Sequence, residues 1–266
     1  ILSPKTINHI LIDGDLSYIS CPFGLVVLNT KKREIKETYY FSNGSNGLKV
    51  FTSFVFNDSM NQENTPLLSD KIFVGTNQGL FYANKNDNLL DFTNWKNDCN
   101  FNDQKTNNVL TNEMKIISIV GFENHDSGEK SLVLATSRET SNYNIFKLDN
   151  SLSSNNTMTF TQSNTSGSVI DMRYNQENDE IVLFLNDDEN NKRIGFWGNN
   201  NTPSFIGFPK ENNLNPVCFI IDQINNNLIF GDEKRGLIIT KFNKNSIDIQ
   251  KLTCPNGPVS YNVGAI

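Results

Sequence analysis

The stretch Lys71–Asn84, KIFVGTNQGLFYAN, decides the fold because its pattern, two apolar runs separated by a turn, recurs along the chain. An apolar run, Ile72–Val74, is followed by the turn Thr76–Gly79 and by a second apolar run, Leu80–Tyr82. Two β-branched and aromatic runs around a turn that ends in glycine are typical of a tight β-hairpin, because glycine tolerates a positive φ. The stretch therefore predicts a β-hairpin.

The same plan occurs at Tyr18–Leu28 and at Leu228–Ile239, and each copy has Gly-Leu where its second strand begins. The glycines are Gly24, Gly79 and Gly236, at intervals of 79 − 24 = 55 and 236 − 79 = 157 residues. The longer interval divides into three of about 52 residues, which is the length of a four-stranded propeller blade with loop insertions. We expect Gly24 and Gly79 to hold the same place in their hairpins, with positive φ and a role in backbone geometry.

The spacing predicts an all-β fold: a β-propeller of five four-stranded antiparallel blades, with almost no helix. The predicted blades span about residues 5–41, 50–97, 114–162, 168–208 and 216–252. Their inner strands are expected at Ile7, Phe51, Lys115, Val169 and Pro216. Val259–Ile266 resembles the inner strand of a sixth blade. Residues 1–266 are thus expected to be one propeller domain or a fragment of a larger propeller, and neighbouring sequence is implied.

Composition excludes several classes of function. The chain has 266 residues, of which 37% are hydrophobic, so it can bury a real core. Its net charge is 23 − 29 = −6, and no basic cluster is longer than Lys31–Arg33, which argues against a nucleic-acid binder. The longest apolar run, Ile116–Phe122, has the length of a strand and not of a membrane span. Because the chain opens at Ile1 without a signal sequence, we expect it to be a processed or excised piece.

Residues that could perform catalysis or bind metal are scarce. His9 is expected in an inner strand and His125 in a polar loop, and a structural role is favoured for both. The acidic clusters Asp13–Asp15 and Asn186–Glu189 lack the spacing of a calcium loop, so solvated turns are expected. We predict no catalytic residue, no metal ligand and no cofactor, and the ligand-binding residues stay unassigned.

Aromatic residues offer a second possible site. Trp95, Trp197, Tyr39 and Tyr40 could stack on a sugar ring, although packing of outer strands explains them equally well. The sequons follow from the abundance of Asn, Ser and Thr; they stand at Asn43, Asn57, Asn155, Asn164 and Asn200.

The four cysteines, Cys21, Cys99, Cys218 and Cys254, allow three pairings and show no C-x-x-C spacing. Cys21 and Cys218 lie in or beside apolar strands, so buried thiols are favoured over a disulfide.

Two stretches resemble the PorZ family. Lys5–Phe41, KTINHILIDGDLSYISCPFGLVVLNTKKREIKETYYF, is similar to the part of its N-terminal propeller in which a strand precedes a Phe-Gly-Ile/Val-Val hairpin and Glu-Ile-Lys-Asp/Glu-Thr-Tyr. Lys71–Trp95, KIFVGTNQGLFYANKNDNLLDFTNW, resembles the next repeat, with its Asn-Leu-x-Asp-Phe-x-x-Trp tail. The likeness covers about residues 5–97, and beyond them it is architectural.

The resemblance implies a non-enzymatic surface component of the type IX secretion apparatus of Bacteroidota, at the outer membrane and facing outward. PorZ proteins have two propellers and a C-terminal secretion-signal domain, so the resemblance implies that this chain is an excised first propeller. They belong to an attachment complex with a sortase-like peptidase and are thought to hold anionic lipopolysaccharide. The alternative is the periplasmic glycan-sensing propeller of a hybrid two-component sensor, whose repeats are similar. An enzyme is the third class, and the short supply of histidine disfavours it.

The long polar loops are where we expect binding. Asn57–Asp70 and Glu123–Lys130 should contact protein partners, because binding residues collect on loops that a rigid scaffold presents. The negative charge and scarce histidine argue against capture of a polyanion by this domain, so any contact with anionic lipopolysaccharide should lie mainly elsewhere in the parent protein.

Overall fold

Antiparallel β-sheets make up the fold in the computed structural model of the chain. The structure describes residues 6–41, 47–56, 68, 70–97, 101–103, 108–110, 114–123, 130–137, 142–149, 159–187, 189, 191–198, 204–209, 214–241 and 243–253. Four sheets have four strands in sequential order, one has three, and one is a two-stranded hairpin. The predicted all-β class is confirmed, and the sheets are blades of the propeller type.

The strands of each blade follow one another along the chain. Blade 1 comprises β1 (His9–Asp13), β2 (Leu16–Cys21), β3 (Gly24–Asn29) and β4 (Glu34–Tyr39). Blade 2 comprises β5 (Val50–Val55), β6 (Lys71–Thr76) and β7 (Gly79–Asn84), and a separate hairpin of β8 (Phe101–Asp103) and β9 (Asn108–Leu110) comes after it. Blade 3 comprises β10 (Lys115–Glu123), β11 (Lys130–Ser137), β12 (Asn142–Asp149) and β13 (Thr159–Ser166).

Two further blades complete the described fold. Blade 4 comprises β14 (Ser168–Asn175), β15 (Glu180–Asn186), β16 (Lys192–Trp197) and β17 (Ser204–Gly207). Blade 5 comprises β18 (Pro216–Asp222), β19 (Asn227–Asp232), β20 (Gly236–Lys241) and β21 (Ile249–Thr253). The predicted sixth-blade strand, Val259–Ile266, lies outside the described residues.

The repeated hairpin owes its geometry to its turn residues. In blade 2, the Thr76 hydroxyl accepts a hydrogen bond from the Gln78 amide at 3.0 Å and donates one to the Gly79 carbonyl at 2.9 Å. Gly79 has φ of 89° and Gly24 has φ of 153°. Both values lie where L-residues with a side chain are strained, so the predicted positive φ is confirmed at both glycines.

A β-bulge recurs in the inner strands. The register between the first two strands shifts at Val50/Thr52 in blade 2, at Ile116/Ser118 in blade 3, at Val169/Asp171 in blade 4 and at Pro216/Cys218 in blade 5. A bulge bends its strand and is kept within a repeat as a feature of the backbone. The four blades are thus copies of one structural unit, down to the irregularity.

The prediction of four strands in blade 2 is wrong for the described residues. The segment expected near Phe92–Asn97 forms a single 3₁₀ turn, Phe92–Asn94, and one bridge between Lys96 and Tyr82. The Asp91 side chain accepts from the Thr93 amide at 3.0 Å and caps this turn, which draws the backbone away from an extended course. This capping lowers the pKa of Asp91, chiefly through the hydrogen bond from the Thr93 hydroxyl.

The chain divides into two compact units, Ile1–Arg138 with Asn144–Gln162 and Glu139–Tyr143 with Ser163–Ile266. In the first unit, one apolar cluster lies between blades 1 and 2 and a second between blades 2 and 3. In the second unit, a cluster rich in phenylalanine joins blades 4 and 5, where the rings of Phe184 and Phe230 lie 5.6 Å apart. Each blade therefore packs face to face on its neighbour within its unit.

Candidate interaction surfaces

The two loops that the sequence singles out for binding have adjacent bases. Residues 57–67 and 69 of the first loop and 124–129 of the second lie outside the described residues. The first loop leaves β5 at Phe56, which is 4% exposed, and the second returns at Lys130, which begins β11. The Lys130 ammonium lies 5.7 Å from the centre of the Phe56 ring, a cation–π distance. The structure thus brings together the bases of two loops that are about 70 residues apart in sequence.

Both loop bases are firmly held. Leu68, near the end of the first loop, is 1% exposed and belongs to the apolar cluster between blades 2 and 3. The Lys85 ammonium donates to the Phe56 carbonyl at 2.8 Å. In β10 of the neighbouring blade 3, a Cβ at Gly121 would come 2.2 Å from the Phe54 ring and 2.7 Å from the Phe56 ring, so a larger residue would force these rings to shift. The loops therefore start from a rigid platform.

Blade 1 presents an apolar sheet face to solvent. The register places Ile10, Ile19 and Val26 in one cross-strand row that ends at Thr38. Ile12, Leu28 and Ile35 belong to the next row on the same face, in which the buried Ser17 stands between Ile12 and Leu28. Ile12 is 70% exposed, Ile35 is 66% exposed and Ile10 is 38% exposed. We call the six apolar residues of these two rows the open face of blade 1. The opposite face of the same sheet, with Tyr18, Leu25 and Val27, is buried against blade 2.

The exposed aromatic pair lies at the hairpin end of blade 1. Tyr40 directly follows β4 and is 66% exposed, and its ring centre lies 6.5 Å from that of Phe23 in the β2–β3 turn. Six of the ten large exposed hydrophobic side chains in the described residues belong to residues 7–40; they are Ile7, Ile10, Ile12, Phe23, Ile35 and Tyr40. Exposed apolar residues that gather in one region mark an interaction surface.

The other aromatic candidates are core residues. Trp95 is 6% exposed, its indole N–H donates to the Leu89 carbonyl at 3.0 Å, and its ring lies 4.7 Å from that of Phe41. Trp197 is also buried. The Tyr39 hydroxyl donates to the Glu37 carboxylate, and burial, followed by this hydrogen bond, raises the pKa of Tyr39. Of the four aromatic residues proposed from the sequence, only Tyr40 has a ring that is exposed to solvent. Phe23, which is also exposed, is not among those four, although its position in a turn is a signal of exposure.

The histidines and acidic clusters are not brought together. His9 is half-buried in β1, whereas His125 lies outside the described residues. Asp15 forms an exposed ion pair with Lys31 at 3.7 Å. Asp187 is buried and saturated: it accepts from the Glu189 and Asn191 amides at 3.0 and 2.8 Å and pairs with Arg193 at 2.8 Å. Across the described part of the chain, no group of three or more His, Cys, Asp or Glu residues could hold a metal ion.

The thiols and the sequons can be placed only in part. Cys21 and Cys218 are buried, as predicted, and burial raises the pKa of both thiols. Cys99 and Cys254 lie outside the described residues, as do the sequon residues Asn43, Asn57, Asn155 and Asn200, while Asn164 lies in β13. No helix among the described residues is long and apolar enough to cross a membrane.

Two lysines, Lys49 and Lys115, lie near each other beside Phe51. The Lys115 ammonium lies 4.2 Å from the centre of the Phe51 ring, and burial together with the charge of Lys49 lowers the pKa of Lys115. Lys49 is exposed, and its backbone N–H donates to the Asn77 side-chain oxygen at 2.8 Å. Two lysines are a small basic feature on a chain whose net charge is −6.

Comparison with known proteins first defines the class, a β-propeller. The chain matches the structure of PorZ, described as an essential bacterial surface component of the type IX secretion system of Porphyromonas gingivalis, with a TM-score of 0.56 at 15% identity, over 96% of this chain and 27% of that one. It matches the extracellular domain of the putative one-component system BT4673 from B. thetaiotaomicron with a TM-score of 0.51 at 13% identity, over 91% and 27%. It matches BBS1N, in complex with ARL6DN, with a TM-score of 0.55 at 10% identity, over 96% and 68%.

The family model of the N-terminal β-propeller domain of the type IX secretion protein PorZ matches residues 1–96. The predicted resemblance to the PorZ family is confirmed over this stretch. The chain spans about a quarter of the PorZ and BT4673 chains. No curated protein matches the sequence.

Proposed function

We propose that this chain is a non-enzymatic binding domain of a surface component of type IX secretion. The observation that carries the proposal is the match of residues 1–96 to the N-terminal propeller of PorZ, a secretion component of the bacterial surface. A blade scaffold with rigid loop bases suits a protein that holds partners in an assembly. The location that follows is the cell surface, on the outward side of the outer membrane.

The partners we propose are proteins of the attachment complex, among them the sortase-like peptidase. The adjacent bases of loops 57–70 and 123–130 support a single contact surface to which both loops contribute, because the Phe56 ring and the Lys130 ammonium lie 5.7 Å apart. Loop bases that are already adjacent do not have to be brought together on binding, which lowers the entropic cost.

The test is to shorten each loop separately in the full-length protein. Residues 58–66 are removed in one variant, and residues 124–129 are replaced by Asn-Gly in another, because Glu123 and Lys130 are cross-strand partners and a hairpin needs a loop of at least two residues. Phe56, Leu68 and Lys130 are kept in both variants. The matched control removes residues 199–203, which connect β16 and β17 in blade 4. We expect both loop variants to lose recovery of the sortase-like partner at least about tenfold, with an unchanged melting temperature, and the control to recover it normally. Normal recovery with both loop variants would refute the proposed surface.

The second candidate is the glycan-sensing propeller of a periplasmic sensor, which the exposed pair Phe23 and Tyr40 favours. Aromatic rings that are open to solvent stack on sugar rings. Calorimetry with neutral oligosaccharides distinguishes the two functions. The sensor would be supported if the oligosaccharide binds, if Tyr40→Ala abolishes that binding, and if the loop variants recover the partner normally.

A further inference from the structure

One end of the first unit is held together by hydrogen bonds that run from blade to blade. We call it the hairpin end, because the β2–β3 and β6–β7 turns lie there; it consists of residues 6–8, 22–23, 40–41, 47–49, 77–78 and 114–115. The Asn8 side chain donates to the Val50 carbonyl at 2.6 Å and so joins blade 1 to blade 2. The Gly79 amide donates to the Met114 carbonyl at 2.9 Å and joins blade 2 to the start of blade 3. The hairpin end is thus one connected surface.

This surface carries two cations and no carboxylate. Lys49 is exposed, and the Lys115 ammonium lies 4.2 Å from the centre of the Phe51 ring. Burial, followed by the charge of Lys49, lowers the pKa of Lys115, so the two ammonium groups repel each other. Neither forms an ion pair within the described parts of the chain, and none of the residues of the hairpin end is Asp or Glu. An anion bound between the lysines would offset their repulsion.

Exposed apolar side chains lie at the same end. Those of the first blade are Ile7, Phe23 and Tyr40. The Leu48 amide donates to the Phe41 carbonyl at 2.8 Å, which brings the segment that carries Lys49 against the segment that carries Tyr40. Tyr40 follows the last residue of β4, so its ring belongs to the end of the sheet. The hairpin end therefore combines an apolar part with a cationic part.

The chemistry of the two parts narrows the choice of occupant. A polypeptide segment with acidic and apolar side chains complements both, because exposed aromatic rings anchor such segments and ammonium groups pair with carboxylates. A neutral sugar would leave the two lysines uncompensated, and the rings of Phe23 and Tyr40, inclined at 39° to each other, do not form one flat platform. The net charge of −6 opposes a densely charged surface, whereas a short segment with few carboxylates meets mainly the local field of the lysines.

We propose that the hairpin end of the first unit is a docking surface for an acidic polypeptide segment of a partner protein, whose carboxylates pair with Lys49 and Lys115 and whose apolar side chain packs on Tyr40. Loops 57–70 and 123–130 leave β5 and β10 at the other ends of these strands. For the six residues of β5 the separation is roughly 17 Å. The inference goes beyond the proposed function, because it adds a second surface with which the domain can hold a second protein.

The test begins with selection of peptides from a phage-displayed random dodecapeptide library on the full-length protein. We expect the enriched peptides to combine Asp or Glu with aromatic or aliphatic residues. Their affinity is then measured by fluorescence anisotropy for the double variant Lys49→Gln with Lys115→Gln. The matched control is Lys31→Gln with Lys32→Gln, which removes the same charge from the β3–β4 turn at the other end of blade 1. We expect the first variant to bind at least about tenfold more weakly than the parent and the control to bind within about twofold of it.

Two further variants keep the test independent of folding and of the loops. Tyr40→Ala, at an exposed position, should weaken binding at least about fivefold with an unchanged melting temperature. If Lys115→Gln lowers the melting temperature, Lys49→Gln alone decides the cationic part, since Lys49 is exposed. The loop-shortened variants should bind the peptides as the parent does, so that a failure of the proposed function is distinguishable from a failure of this inference.

Four results would overturn the proposal. They are equal binding by the lysine variant and its control, enriched peptides without an excess of acidic residues, loss of peptide binding in the loop-shortened variants, and a selection that enriches no sequence. If no sequence is enriched and a neutral oligosaccharide binds in a manner that Tyr40→Ala abolishes, the hairpin end would be a glycan surface instead.

Discussion

Gly79 fulfils a backbone requirement, since its φ of 89° lies in a region that β-branched residues avoid. We predict that Gly79→Val lowers the free energy of unfolding by about 1–3 kcal/mol. Urea unfolding measures the loss. Gly207→Ala is the control, because its φ is not positive and an added Cβ meets nothing within 4 Å. Equal stability of the two variants would contradict the prediction.

The ion pair between Lys244 and Glu180 joins a loop of blade 5 to blade 4 at 2.6 Å, with the Glu180 side chain 3% exposed. We predict that Lys244→Met costs about 1–3 kcal/mol, because it leaves a buried carboxylate with no cation beside it. Adding Glu180→Gln should recover part of the loss, since the amide is uncharged. Thermal and urea unfolding measure both effects.

Lys32→Met is the control for this prediction. Lys32 pairs with Glu34 at 3.7 Å, but their side chains are 69% and 59% exposed, and solvent screens such pairs. A loss at Lys32 as large as that at Lys244 would show that burial of the carboxylate is not the cause.

At the scale of elements, the Asp91–Trp95 segment after blade 2 packs into the apolar cluster between blades 1 and 2 and does not form a fourth strand. Trp95 closes the cluster between blades 1 and 2 through its contact with Phe41, while its indole N–H satisfies the Leu89 carbonyl. We predict a loss of about 1–2 kcal/mol for Trp95→Phe and about 3–5 kcal/mol for Trp95→Ala. Denaturant unfolding followed by far-UV circular dichroism measures both.

Tyr40→Ala is the control at this scale, because that ring is 66% exposed. We expect it to change stability by no more than about 0.5 kcal/mol. A large loss at Tyr40, or none at Trp95, would mean that the tail does not support the sheet.

At the scale of the whole molecule, the net charge of −6 opposes capture of a polyanion. We predict that the 266-residue chain is not retained on vesicles of anionic lipopolysaccharide at physiological ionic strength. Vesicle co-sedimentation measures retention. The lysine pair beside Phe51 is the feature that could bind an anionic surface. Retention that falls with added salt and is lost in Lys115→Gln would contradict the prediction.

The sequence by itself determined the all-β class, the repeated hairpin and the conformations of Gly24 and Gly79. These features depend on neighbouring residues, since alternation of apolar residues and the chemistry of a turn act over a few positions. The apolar tail of blade 2 predicts a strand, whereas the structure has a 3₁₀ turn there, because the local cap at Asp91 outweighs the tendency to extend.

Only the tertiary structure decided which surfaces face solvent. Trp95 and Tyr40 are both aromatic residues at the outer side of a blade, yet one is buried and the other exposed, because burial depends on which sheet packs against each face. The apolar strand His9–Asp13 shows the same limit, since its pattern predicts burial while Ile12 stands open. The contact of Phe56 with Lys130 likewise joins residues far apart in sequence, and such a contact depends on the register and packing of whole sheets.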